Sequence, residues 1–209
     1  MKAREWREFL EEQRKVHGKV LFTLTELANA ALAGRNALNV ELSRLRQQGI
    51  VVRYAQGLYG LRDAVSADDL LVAMDAHAYM TGIHALYLHH LIAQVPTAIT
   101  CFTDRRGPRV HVRSTPAGRF VFACVRSRVY DPPAGRPVAG PEQALCDFVY
   151  LSRRARVAPA SQVTFRNLGG LRSANPGGLQ MDLLFRTAKR YPSTVGEEVR
   201  RLLTSTSTR

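Results

Sequence analysis

The chain has 209 residues, 45% of them hydrophobic, enough for one or two domains with a proper core. Its formal net charge of +13 speaks for a polyanionic partner: DNA, RNA or an anionic membrane surface. No apolar stretch approaches a membrane span, and the opening MKAREWREFLEEQRKVHG is charged throughout, without the apolar centre of a signal peptide, so a soluble cytoplasmic protein is expected. Among 30 basic residues only Lys2, Lys15, Lys19 and Lys189 are lysines. Arginine forks grip phosphates and guanine edges at two points, as lysine does not. GC-rich codons raise arginine and alanine together, so this bias weighs less than the charge itself. Met1 to Val65 carries 11 basic and 7 acidic residues, Ser66 to Tyr150 8 and 7, and Leu151 to Arg209 11 and 3, making the last segment the most basic. Cys101, Cys124 and Cys146 are odd in number, lack CxxC spacing and sit in apolar runs, as buried thiols in a reducing compartment do. No metal and no cofactor is expected.

In chain order, Ala3 to Val16 reads as a helix with Trp6, Phe9, Leu10, Gln13 and Val16 on one side and Glu5, Glu8, Glu11 and Glu12 outward. Thr23 and Glu26 make a capping box for a second helix with Leu24, Leu27, Ala28 and Ala31 on one face. Gly34 stands where a left-handed turn residue is expected. A third helix, Asn36 to Gln48, buries Leu38, Leu42 and Leu45 and stops at Gly49. Ile50 to Tyr54 and Leu58 to Leu61 are β-prone runs around Ala55-Gln56-Gly57, a hairpin. Helix, turn, helix and hairpin compose a winged helix, whose second motif helix lies in the DNA major groove.

A boundary is expected near Arg62 to Ala67, giving a winged helix-turn-helix domain over 1–65 and a second domain over 66–209. The second domain opens with helices Asp68 to His77 and Thr81 to Ile92, the latter with Ile83, Leu86, Tyr87 and His90 along one side. Strands are expected over Thr97 to Thr103, Arg109 to Thr115 and Arg119 to Tyr130, with Val110, Val112, Phe120, Phe122 and Cys124 as the inward sides of antiparallel neighbours. Pro141 opens a helix with Glu142 in its first turn and Ala144, Leu145, Phe148 and Val149 buried. After a loop from Gly169 to Gly178, helices follow near Leu179 to Arg190 and Thr194 to Leu203. The fold class is therefore α+β: a winged helix-turn-helix, then a mixed α/β domain with a small antiparallel sheet.

The leucine stripe of the third helix fixes its outward side. Opposite it stand Asn36, Val40, Ser43 and Gln47, flanked by Asn39 and Arg44. Asn, Gln and Arg suit two-point bonds to adenine and guanine edges, and a valine suits a thymine methyl. A polar solvated face explains the same pattern, and Asn36 also suits a helix cap. Arg35 at the helix entrance fits a phosphate. In the wing, Arg53, Tyr54, Gln56 and Arg62 are candidate backbone or minor-groove contacts, whereas Tyr59 reads as core. Other groups carry less chemistry. His84, His89 and His90 lack metal-ligand spacing. Asp104, Arg105, Arg106, Gly107 and Arg109 read as a charged turn. Glu142 and Asp147, five apart, do not share a helix face. Arg153, Arg154 and Arg156 are either solvated or a second nucleic-acid surface.

Three passages together resemble the AbiEi antitoxins of bacterial abortive-infection toxin–antitoxin systems: the winged helix LFTLTELANAAL…LSRLRQQGIVVRYAQGLYGL, the segment HALYLHHLIAQVPTAITCFTDRR, and the proline-led VAGPEQALCDFVYL. The resemblance covers residues 20 to 155. It implies a repressor of its own toxin–antitoxin operon that binds promoter inverted repeats in double-stranded DNA through the N-terminal module. It further implies an antitoxin acting against a nucleotidyltransferase-like toxin without a stable complex. Two other readings stay open: a nuclease targeted by the winged helix, and a regulator with no toxin partner. A nuclease needs clustered carboxylates for metal, and the acids between Ser66 and Tyr150 are scattered in sequence.

Overall fold

The computed structural model describes residues 1–105, 107, 110–153 and 178–206. The described chain forms two compact units, Met1–Ala76 with Ser114–Gly118, and His77–Arg113 with Arg119–Arg209. The expected basic turn residues Arg106 and Arg109, the run Arg154 and Arg156, and most of the Gly169 to Gly178 loop lie outside the described residues.

The first unit runs α1 (Ala3–His17), β1 (Leu21–Thr23), α2 (Leu24–Ala31), α3 (Arg35–Gln47), β2 (Val51–Ala55), β3 (Leu58–Leu61) and α4 (Ala67–Met74). Its three-stranded sheet has the order β1-β3-β2, with both pairings antiparallel. Two helices, a turn and a hairpin closed by a third strand make this a winged helix. Trp6 and Leu10 of α1, Leu27 of α2 and Leu38, Leu42 and Leu45 of α3 converge with Phe22, Ile50, Val51, Tyr59 and Leu61 into one core. Burying side chains of this size contributes about 1.5–3 kcal/mol each. Trp6 Nε1 donates to Glu41 Oε1 at 2.7 Å, which ties α1 to α3. Strand β1 was not apparent in the sequence. It is three residues long and lies so close to β3 that a Cβ on Gly60 would meet the Val20 carbonyl oxygen at 2.4 Å.

Several local expectations change. The Thr23–Glu26 capping box is present. The left-handed residue ending α2 is Leu32 (φ 49°), not Gly34, which takes extended backbone as the N-cap of α3. The amides of Leu32 and Ala33 already close the last turn onto Asn29 and Ala28, so the reversal occurs before the glycine is reached. Gly49 (φ 69°) does end α3 in the left-handed region, with Gly49 and Ile50 amides donating to Arg46 and Leu45 carbonyls. Helix α4, expected to open the second domain, clusters with the first unit and packs on β1 through a segment whose Leu70 and Leu71 are fully buried.

The second unit contains β4 (Tyr79–Met80), α5 (Gly82–Leu88), β5 (Ile99–Thr103), most of β6 (Val110–Thr115) and of β7 (Gly118–Cys124), α6 (Pro141–Arg153), α7 (Met181–Ala188) and α8 (Ser193–Thr206). The α+β class holds, but this sheet is mixed rather than antiparallel. Its order is β4-β5-β7-β6, with β4 antiparallel and β7 parallel to β5. The reason is insertion: β7 returns from the turn after β6 and slots between β6 and β5. Phe120 and Phe122 are fully buried as expected, whereas Val112 is exposed. The β6 side chains against Phe122 are His111, stacked at 4.7 Å, and Arg113, so Val112 takes the opposite side. Helix α5 stops four residues earlier than expected because His90 (φ 59°) turns left-handed and the Leu91 amide closes onto Leu86. Cys101 and Cys146 are buried and Cys124 is partly so, and none of the three is in a disulfide. Helix α6 is covered almost all round, with eight consecutive-turn positions from Glu142 to Tyr150 buried save Gln143. No helix among the described residues is long and apolar enough to cross a membrane.

Candidate nucleic-acid interface

Helix α3 begins at Gly34 and turns its leucine stripe into the first core, which forces the remaining positions outward. Arg35, Asn36, Asn39, Val40, Ser43, Arg44 and Gln47 are all exposed, Val40 to 55%. Asn36 lies within α3 and does not cap it. The face they share carries no carboxylate, since Glu41 is turned back to the Trp6 indole and the Met1 amine.

The wing divides its candidates. Arg53, Gln56 and Arg62 are exposed. Arg53 Nε donates to the Ala55 carbonyl at 3.3 Å, beside the bulge between Arg53 and Ala55. Tyr54 is not a surface contact. It is 5% exposed and its hydroxyl donates to the Leu61 carbonyl at 2.9 Å. Burial raises its pKa, as expected for a phenol held inside. Alternation explains the change: Arg53 points out, so its neighbour points in. Tyr59 is core, as its spacing indicated.

A polar concavity of about 450 Å³ lies between the second half of α3 and strand β2. Ser43, Arg46 and Gln47 line it from α3, Val51, Val52 and Arg53 from β2, with Arg62 and with Pro116 of the same compact unit. Four of the candidates, Ser43, Gln47, Arg53 and Arg62, thus meet in one place, joined by Arg46, which helical periodicity does not mark. Arg46 follows the buried Leu45 and lies nearer the stripe than the outward centre, on the side where β2 stands. Helical periodicity marks which side is buried but not which side the wing occupies.

The second unit has a polar cluster of its own. The Asp147 carboxylate of α6 is wholly buried. Thr81 Oγ1 donates to one oxygen and the Tyr191 hydroxyl to the other, both at 2.6 Å, and the Tyr79 hydroxyl adds a longer contact at 3.4 Å. Gln143 Nε2 donates to the Tyr79 hydroxyl at 3.1 Å and to the Asp131 carbonyl at 2.6 Å. Burial pushes the Asp147 carboxyl up to about 7, with the three hydroxyl donors and Arg190 pulling the other way. Burial and the Asp147 charge likewise push the Cys146 thiol up to about 12 and raise the phenols of Tyr79 and Tyr191. Arg190 is ion-paired with Asp131. Glu142, also buried, accepts the Gln180 amide at 2.8 Å. Among the described residues, no three His, Cys, Asp or Glu side chains are grouped to hold a metal ion.

Fold and surface together define an α+β protein whose first unit is a winged helix with a carboxylate-free outward helix face. No protein-family model matches the chain, and no curated protein does. Among solved structures it is similar to the crystal structure of the RV2827C protein from Mycobacterium tuberculosis, with 18% identity, a TM-score of 0.60 and coverage of 97% of this chain and 77% of that one. At that identity the likeness is one of fold.

Proposed function

We propose that this chain is a cytoplasmic DNA-binding repressor that controls its own toxin–antitoxin operon, of the AbiEi type, and acts as antitoxin to a nucleotidyltransferase-like toxin without a stable complex. The observation carrying the DNA half is the outward face of α3, where Asn36, Asn39, Val40, Ser43, Arg44 and Gln47 are exposed together with no acid among them. Amide and guanidinium groups in a helix of this kind match base edges in the major groove, while Arg35, Arg53 and Arg62 neutralise phosphates. The antitoxin half rests on the resemblance of residues 20 to 155 described above. One winged helix reads few base pairs, so two copies engage an inverted repeat. The protein acts by binding and performs no chemistry of its own.

The test is fluorescence anisotropy with duplex DNA from upstream of its own gene against a scrambled duplex, over a salt series. A preference for the upstream duplex that survives rising salt is expected, with two chains per duplex by mass. The Asn39→Ala/Ser43→Ala/Arg44→Ala variant keeps its helix content and loses at least about tenfold in that preference, one base-pair contact being equivalent to about 1–3 kcal/mol. A variant that selects as well as the parent removes α3 as the reading helix. Divalent-dependent cleavage of plasmid copurifying with the protein overturns the repressor reading in favour of a nuclease.

A further inference from the structure

The concavity beside α3 divides the candidate surface in a way the sequence could not. Ser43, Arg46 and Gln47 sit in the second half of α3, and all three line the recess together with Arg53 and Arg62. Three arginines therefore line one recess, and among the described residues no acidic residue does. Arg53 is held beside the wing bulge by its Nε bond to Ala55. Guanidinium clusters with hydroxyl and amide groups between them suit a phosphodiester, whose oxygens accept from every one of these donors. In helix-turn-helix proteins the first residues of the reading helix meet base edges, and the chain then leaves the groove past the backbone.

We propose that this recess seats the DNA phosphodiester backbone, with Arg46 as its central cation. Ser43 and Gln47, counted above with the base-matching face, are thereby reassigned to phosphate, and base reading falls to Asn36, Asn39, Val40 and Arg44. The proposal rests on the DNA-binding reading above and refines it by separating grip from selection within one helix.

Salt dependence distinguishes the two roles, because each neutralised phosphate adds about 0.9 to the slope of log K against log salt. Arg46→Ala is expected to lower that slope by about 0.9 on the upstream and scrambled duplexes alike, with their affinity ratio unchanged. Arg46→Lys restores the slope. Asn39→Ala does the reverse, lowering the ratio and leaving the slope. Replacing single phosphates by uncharged methylphosphonates completes the test: at one position the change weakens the parent and leaves Arg46→Ala unaffected. An unchanged slope in Arg46→Ala, or a loss confined to the upstream duplex, overturns the proposal. If the parent shows no preference for the upstream duplex, the operator reading fails while the slope still tests the recess.

Discussion

Asp147 is the residue whose chemistry departs furthest from its type. A carboxyl whose ordinary value is 3.8 is pushed up to about 7 by complete burial, against the pull of Thr81, Tyr191, Tyr79 and Arg190. Its folded pKa therefore lies above its unfolded one. Between roughly pH 4 and 7 the folded chain keeps a proton that the unfolded chain has released. Stability from this group is full below that window and is lost as pH rises through it. Asp147→Asn keeps one acceptor oxygen, for Thr81 or for Tyr191, and carries no charge, so the hydrogen bond it loses is an offset constant with pH. In urea unfolding from pH 4.5 to 8, the parent is expected to lose ground to Asp147→Asn by about 1.4 kcal/mol per pH unit up to about pH 7, then run parallel. Parallel curves over the whole range would mean that Asp147 is ionised throughout. Tyr54 makes the opposite point at this scale: a residue placed on the wing surface by its position near the tip belongs to the interior by alternation with Arg53.

The caps of α2 and α3 make a matched pair at the scale of elements. Leu32 ends α2 in the left-handed region although 95% exposed, so its side chain gains no burial in return for the strain. Gly49 occupies the same region after α3, and a Cβ there meets nothing within 4 Å. An L side chain in this conformation costs about 1–2 kcal/mol. Thermal and urea unfolding should therefore give opposite signs: Leu32→Gly more stable by about 0.5–1 kcal/mol, Gly49→Ala less stable by about 1 kcal/mol. Both changes destabilising would mean that Leu32 makes contacts its exposure conceals. These elements also show what the sequence could and could not reveal. The Thr23–Glu26 capping box, the leucine stripe of α3, the wing hairpin and Pro141 at the head of α6 are local signals, and each is found in place. Strands β1 and β4, three and two residues long, are too short to show a period. Arg46 escaped because its importance comes from β2, and the Asp147 cluster escaped because its donors stand 66 and 44 residues away.

At the scale of the whole molecule the α+β class was legible and the strand order was not. Hydrophobic alternation identifies β5 and β7 as strands, but their parallel pairing depends on where β6 is placed, which no local pattern records. The same separation in sequence has a consequence for synthesis. The Thr81 hydroxyl precedes Asp147 by 66 residues and is already made when the carboxylate appears, whereas the Tyr191 hydroxyl follows by 44. At about 5–20 residues per second, those 44 residues take on the order of 2–9 s to add. Protease treatment of arrested nascent chains should find α6 cleavable while Tyr191 is still inside the ribosome and protected once it has emerged. Protection at the shorter length would mean that α6 docks without its last donor. Until that hydroxyl arrives, the Asp147 carboxylate lacks one of its two short hydrogen-bond donors, an interval set by the order in which the partners are translated.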